Sequence, residues 1–108
     1  MKNASDKWIK ACVKKGDLDY SFHAKSRMLE RKIEDEKVVD CILNGKVIEY
    51  QKQYKDVHVL FQEATDKEPE IYVIVAAAYP NPVIVTVCRT MIEVWGDSNG
   101  ILKRRQRV

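Results

Sequence analysis

The sequence predicts a small α+β domain in which N-terminal helices pack on a four- to five-stranded antiparallel sheet. Apolar residues before position 45 recur at helical spacing, whereas those after position 47 alternate with a period of two. Valine, isoleucine and aromatic residues, which favour strands, dominate that second part. Because the helices come first and the strands follow, we expect the helices to cover one face of the sheet.

The first and third predicted helices are amphipathic. The first begins at a Ser5 or Asp6 cap and ends at Gly16, since glycine favours a helix stop. Its apolar stripe consists of Trp8, Ile9, Cys12 and Val13. The third helix covers EDEKVVDCILN, ends at Gly45, and carries acidic residues in its first turn, where the helix dipole favours them. The residues that it is expected to bury are Val38, Val39, Ile42 and Leu43.

The second predicted helix follows a cap at Asp19 or Ser21 and covers the segment FHAKSRMLERK. The residues expected to face the sheet are Ala24, Met28 and Leu29. The residues on a neighbouring side, one at every fourth position, are His23, Arg27 and Arg31. Each step of four residues turns the side chain by only about 40°, so one side of the helix is apolar and the next is basic.

Strand periodicity appears in the segments VIEY, VHVLFQE, IYVIVAAA, VIVTVCR and MIEVW, the last at residues 91–95. The loop between the third and fourth segments is only YPNP, so these two strands should pair antiparallel. Both are apolar on both faces, which predicts a place at the centre of the sheet. The polar break at residues 64–70 is predicted to be a hairpin loop.

One domain, residues 1–108, accounts for the whole chain, because no linker or repeat divides it. The chain has no apolar run of about 20 residues and no signal-peptide pattern, and its three scattered cysteines form no disulfide framework. We therefore expect a cytoplasmic protein with no membrane partner. The net charge of +3 comes from a basic tail at residues 103–108, without which the chain would carry −1.

The basic side of the second helix is the leading candidate for a functional site. Arginine binds phosphate oxygens bidentately, and histidine exchanges a proton near neutral pH. A solvated face, with Glu30 and Glu34 paired to the arginines, explains the same spacing. The other candidates are His58, Thr86, Arg89, Lys103, Arg104 and Arg105. The sequence contains no metal-ligand spacing and no nucleotide-binding motif, so we expect neither a metal nor a cofactor.

The segments YSFHAKSRMLERKI, NGKVIEY, VHVLFQEA and IYVIVAAAYPNPVIVTVCR, in that order, resemble the bacterial family catalogued as domain of unknown function 4258. The resemblance covers about residues 20–89. The residues that carry it are His23, Ala24, Arg27, Met28, Arg31, Val85 and Thr86. The family looks like a relative of the BrnT and RelE/ParE toxins, which implies the barnase, EndoU, colicin and RelE type of ribonuclease fold.

This resemblance implies a metal-independent endoribonuclease of a toxin–antitoxin or phage-related system, with RNA as substrate and an antitoxin protein as partner. In such a site the ribose 2′-hydroxyl attacks the neighbouring phosphorus. The implied acid or base is His23, with His58 as a second candidate. The implied phosphate ligands are Arg27, Arg31 and Arg89.

Two other functions remain open from the sequence. One is a non-catalytic module, derived from a toxin fold, that binds a protein or RNA through the same basic side. The other is a small homo-oligomeric structural protein, in which the strand edge at residues 91–95 pairs with a second copy to form a homodimer.

Overall fold

The computed structural model describes residues 5–53, 56–64, 69–90, 95–98 and 101–104. In that part of the chain, three helices and seven strands follow one another in the α+β arrangement that the sequence predicts. The elements are α1 Ser5–Lys15, β1 Asp19–Tyr20, α2 Phe22–Arg31, α3 Asp35–Asn44, β2 Lys46–Gln53, β3 Asp56–Gln62, β4 Ile71–Ala76, β5 Val83–Arg89, β6 Trp95–Ser98 and β7 Ile101–Arg104.

The main sheet has five strands in the order β1, β5, β4, β3, β2. The pairs β2–β3, β3–β4 and β4–β5 are antiparallel, which confirms that β3 and β4 pair as the two strands of a hairpin and that β4 pairs antiparallel with β5. The sheet is nevertheless mixed, because β1 pairs parallel with β5 through Asp19 opposite Val83 and Tyr20 opposite Ile84. A two-residue strand is too short to show a periodic pattern, so the sequence does not predict it.

The helices cover one face of the sheet, as expected. The buried cluster beneath them consists of Ile9, Val13, Ala24, Ile33, Val38, Cys41, Ile42, Val59, Phe61, Ile71, Val73, Val75, Ile84 and Val87. On the opposite face, Leu60 is fully buried among Ile48, Tyr72 and Ile74. Within the described residues, no helix is long and apolar enough to span a membrane.

The packing of α2 differs from the prediction. Ala24 is fully buried and Met28 is partly buried against the core, but Leu29 is 83% exposed. Five residues separate Leu29 from Ala24, which places it about 140° further round the helix and away from the sheet. Trp8, at the margin of the α1 stripe, is likewise 37% exposed.

The C-terminal strands β6 and β7 form an antiparallel hairpin, and β7 lies against β2. The sequence did not predict this hairpin. Most of the strand predicted at residues 91–95 lies outside the described residues. Lys103 and Arg104 belong to β7, so the basic tail predicted from residue 103 begins inside a strand, and Arg105 lies outside the described residues.

Candidate functional site

The start of α2 is attached to β5 by one serine. The Ser21 side-chain oxygen accepts a hydrogen bond from the Ala24 backbone N–H at 3.0 Å, which identifies Ser21 as the helix cap. The same hydroxyl donates to the backbone carbonyl of Val85 at 2.9 Å. The Ser21 backbone N–H also donates to the carbonyl of Ile84 at 3.0 Å. The cap therefore fixes the position of the helix against the strand as well as its first turn.

The end of α2 is attached to β5 by two arginines that bind in opposite directions. Arg31 Nη1 donates to the Val87 carbonyl at 2.6 Å, and Arg89 Nη2 donates to the Arg31 carbonyl at 2.8 Å. Strand β1 pairs with β5 only at Val83 and Ile84, so the later carbonyls on this edge need other donors. The side chains of Ser21, at the cap of α2, and Arg31, at its end, donate to the carbonyls of Val85 and Val87. The helix therefore covers this edge of β5.

The residues of the predicted basic side follow one another along α2. We call His23, Arg27, Arg31 and the adjoining Arg89 the α2 basic row. From His23 to Arg31 the row extends about 12 Å along the helix axis, at 1.5 Å per residue. His23 is exposed at one end, and its imidazole makes no hydrogen bond to another described residue, while Arg27 pairs with Glu30 at 2.9 Å. The helix therefore carries an exposed histidine followed by two arginines, and the Arg89 guanidinium adjoins the end of the row.

Two other predicted site residues, His58 and Thr86, lie on the opposite face of the main sheet. His58 is half-buried in β3 opposite Ala76, and the alternation of β3 sets it on the face of Leu60 rather than that of Val59. Thr86 pairs with Ile74 on this same face. The sheet thus separates both residues from the α2 basic row.

Two cavities border α2, and the sequence predicted neither. An open groove of about 630 Å³, which we call the α2 groove, is lined by Tyr20, Lys25, Met28, Leu29, Lys32, Ile33, Glu34 and Asp35. A smaller cavity of about 280 Å³ is lined by Lys32, Ile33, Glu34, Lys37, Glu70, Ile71 and Arg89. The second cavity adds Lys32 and Lys37 to the cations near Arg89. Both depend on the turn between α2 and α3, whose shape the sequence pattern does not specify.

Two groups outside the α2 basic row, Cys41 and Tyr50, have raised pKa values. Burial, together with the nearby carboxylates of Glu63 and Asp40, raises the pKa of the Cys41 thiol to about 12. Burial also raises the pKa of Tyr50, with a contribution from Asp6. A buried thiol with so high a pKa is protonated at neutral pH and is a poor nucleophile. Among the described residues, no group of three or more His, Cys, Asp or Glu side chains could hold a metal ion.

Comparison with known proteins identifies a family and no individual relative. No match to this chain was found among curated proteins, and none among solved structures. The family model described as "Domain of unknown function (DUF4258)" matches residues 20–89. The match runs from the end of β1 to the end of β5 and includes the whole α2 basic row. Because the matched segment is well over half of the chain, this protein belongs to the DUF4258 family.

Proposed function

We propose that this protein binds RNA through the α2 basic row and cleaves it without a metal ion, with His23 as the general acid or base. The observation that carries the proposal is an exposed histidine on the same helix as Arg27 and Arg31, with the Arg89 guanidinium bound at the end of that helix. A cleaving enzyme of this kind acts as the toxin of a toxin–antitoxin or phage-related system in the bacterial cytoplasm, with an antitoxin protein as its partner.

The chemistry requires proton transfer and the neutralisation of charge. The ribose 2′-oxygen bonds to phosphorus as the bond from phosphorus to the 5′-oxygen breaks, leaving a cyclic phosphate and a 5′-hydroxyl. His23 either accepts the 2′-hydroxyl proton or donates a proton to the departing oxygen, and water completes the other transfer. Guanidinium groups beside the phosphorus stabilise the additional negative charge of the transition state.

The hydrogen bonds of Arg31 and Arg89 within the protein are compatible with phosphate binding. A guanidinium group carries five N–H donors, and each of these arginines uses one in the contact with α2 or β5. Those contacts hold the two groups in place before substrate arrives, which lowers the entropy that binding would otherwise lose.

A second candidate function is a non-catalytic RNA-binding module. It is favoured by the presence of one histidine in the α2 basic row, since His58 lies across the sheet. The ion pair between Arg27 and Glu30 also reduces the positive charge at the middle of the row. Both functions use the same surface, so catalysis and binding must be measured separately.

The test compares His23→Ala, Arg27→Ala and wild type in RNA cleavage with EDTA present and in RNA binding. For a nuclease, we expect His23→Ala to lower cleavage by about 10²- to 10⁴-fold while RNA affinity changes little. Arg27→Ala should weaken binding and reduce the dependence of log K on log salt by about one unit. Lys25→Ala is the matched control, because it removes an exposed cation from the groove side of the same helix.

The outcomes separate the candidate functions. Wild type that binds RNA but leaves it intact at high concentration would refute the nuclease and support the binding module. Wild type that neither binds nor cleaves RNA would refute both. A loss of binding in Lys25→Ala equal to that in Arg27→Ala would show that general positive charge, rather than the α2 basic row, attracts the RNA.

A further inference from the structure

The α2 groove exposes apolar surface that the described residues leave uncovered. Ile33 in its lining is buried, Met28 is partly buried, and Leu29 is 83% exposed. A single exposed leucine is ordinary on a protein surface. Here the leucine is part of the lining of an open groove of about 630 Å³, beside Met28 and Ile33.

Charged side chains of opposite sign occupy different parts of the groove lining. Lys25 lies on α2 and Lys32 is the C-cap of that helix. Glu34 is the N-cap of α3, and Asp35 is its first residue. The Lys25 ammonium makes no ion pair among the described residues, and Asp35 accepts a hydrogen bond from the Tyr20 hydroxyl. A surface with one basic part and one acidic part can bind a second copy of itself. A two-fold axis places the basic part of each copy opposite the acidic part of the other.

We propose that a second copy of this chain docks on the α2 groove and forms a two-fold dimer. Leu29 of each copy enters the groove of the other and covers apolar surface there. The Lys25 ammonium then faces the partner's Glu34 and the partner's Asp35. The α2 basic row lies on the other side of the helix, so the dimer goes beyond the proposed RNA function and does not depend on it.

The first test is the molecular mass of the wild-type chain and of Leu29→Glu as a function of concentration, by sedimentation equilibrium. We expect wild type to dimerise and Leu29→Glu to raise the dimer Kd by about tenfold or more, because it buries a charge in the interface. Ala11→Glu is the matched control, since it adds the same charge at an exposed position of α1. Because Leu29 is exposed, both variants should keep the wild-type circular dichroism spectrum.

The second test reverses charges. Lys25→Glu should raise the dimer Kd, and adding Glu34→Lys to the same chain should restore part of the affinity, since the ion pair between positions 25 and 34 is then remade with its signs exchanged while Asp35 stays acidic. The Glu34 side chain makes no cap hydrogen bond to α3, so the substitution removes none from the helix.

Three results would overturn the groove dimer. The first is a wild-type chain that stays monomeric up to about 1 mM. The second is a dimer that Leu29→Glu leaves unchanged. The third is a dimer that Ile92→Asp abolishes and Leu29→Glu does not, which would assign the interface to the strand edge at residues 91–95 instead.

Discussion

Helices α2 and α3 each have ten residues, yet they are held on the sheet in different ways. Val38, Cys41 and Ile42 of α3 are fully buried, whereas Ala24 is the one fully buried residue of α2. Helix α2 is held instead by hydrogen bonds from its two ends to the edge of β5. A helix can therefore dock on a sheet through polar contacts with an unpaired strand edge when few apolar residues are available.

The difference has a consequence for function. The exposed residues of α3 are all polar or charged, whereas attachment at the ends of α2 leaves two of its sides open, one of them with the exposed apolar residue Leu29. One open side carries the α2 basic row and the other forms the α2 groove. Both proposed interactions of this protein therefore belong to the helix that contributes least to the apolar core.

The largest expected effect is the loss of a buried α3 side chain. Ile42→Ala should reduce the free energy of unfolding by about 2–5 kcal/mol, because it leaves a cavity in the core. Leu29→Ala, on the exposed surface of α2, should change it by no more than about 0.5 kcal/mol at a protein concentration at which the chain is monomeric. Urea denaturation of the two variants measures both values. If the two variants lose equal unfolding free energy, α3 is not held by burial more strongly than α2.

Alkaline pH provides a second measurement of α3 burial. The folded pKa of Cys41, about 12, lies above its ordinary value of 9.0, so the unfolded chain releases this proton first as the pH rises. The contribution of Cys41 to stability is complete below pH 9.0 and is lost progressively between that value and about pH 12. We expect Cys41→Ala to show a smaller decrease of unfolding free energy from pH 8.5 to 11 than wild type, by up to a few kcal/mol. Identical slopes would mean that the thiol is not buried.

A smaller effect is expected at the attachment of α2 to β5. Arg31→Met keeps most of the aliphatic length but leaves the Val87 carbonyl without its donor, and should cost about 1–3 kcal/mol of stability. Arg27→Met is the control, because it removes only an exposed ion pair, worth about 0–1 kcal/mol. Thermal or urea unfolding would distinguish them. If the two variants are equally stable, the polar attachment of α2 contributes nothing measurable.

The sequence by itself determined the class of the fold and the residues of the family motif. Periodicity located α1, α2, α3 and the antiparallel strands β2 to β5, because each repeats an apolar pattern that its own geometry requires. It also set His23, Arg27 and Arg31 along one side of α2, since spacing on a helix is a local property.

Only the tertiary structure decided what those residues contact. The two roles of Ser21, the paired contacts of Arg31 and Arg89, and the exposure of Leu29 all follow from the position of α2 beside the open edge of β5. Likewise, the separation of His58 from the α2 basic row depends on which face of the sheet the helices cover. These contacts join residues up to 64 positions apart, and a local pattern carries no information about which distant carbonyl is left unpaired.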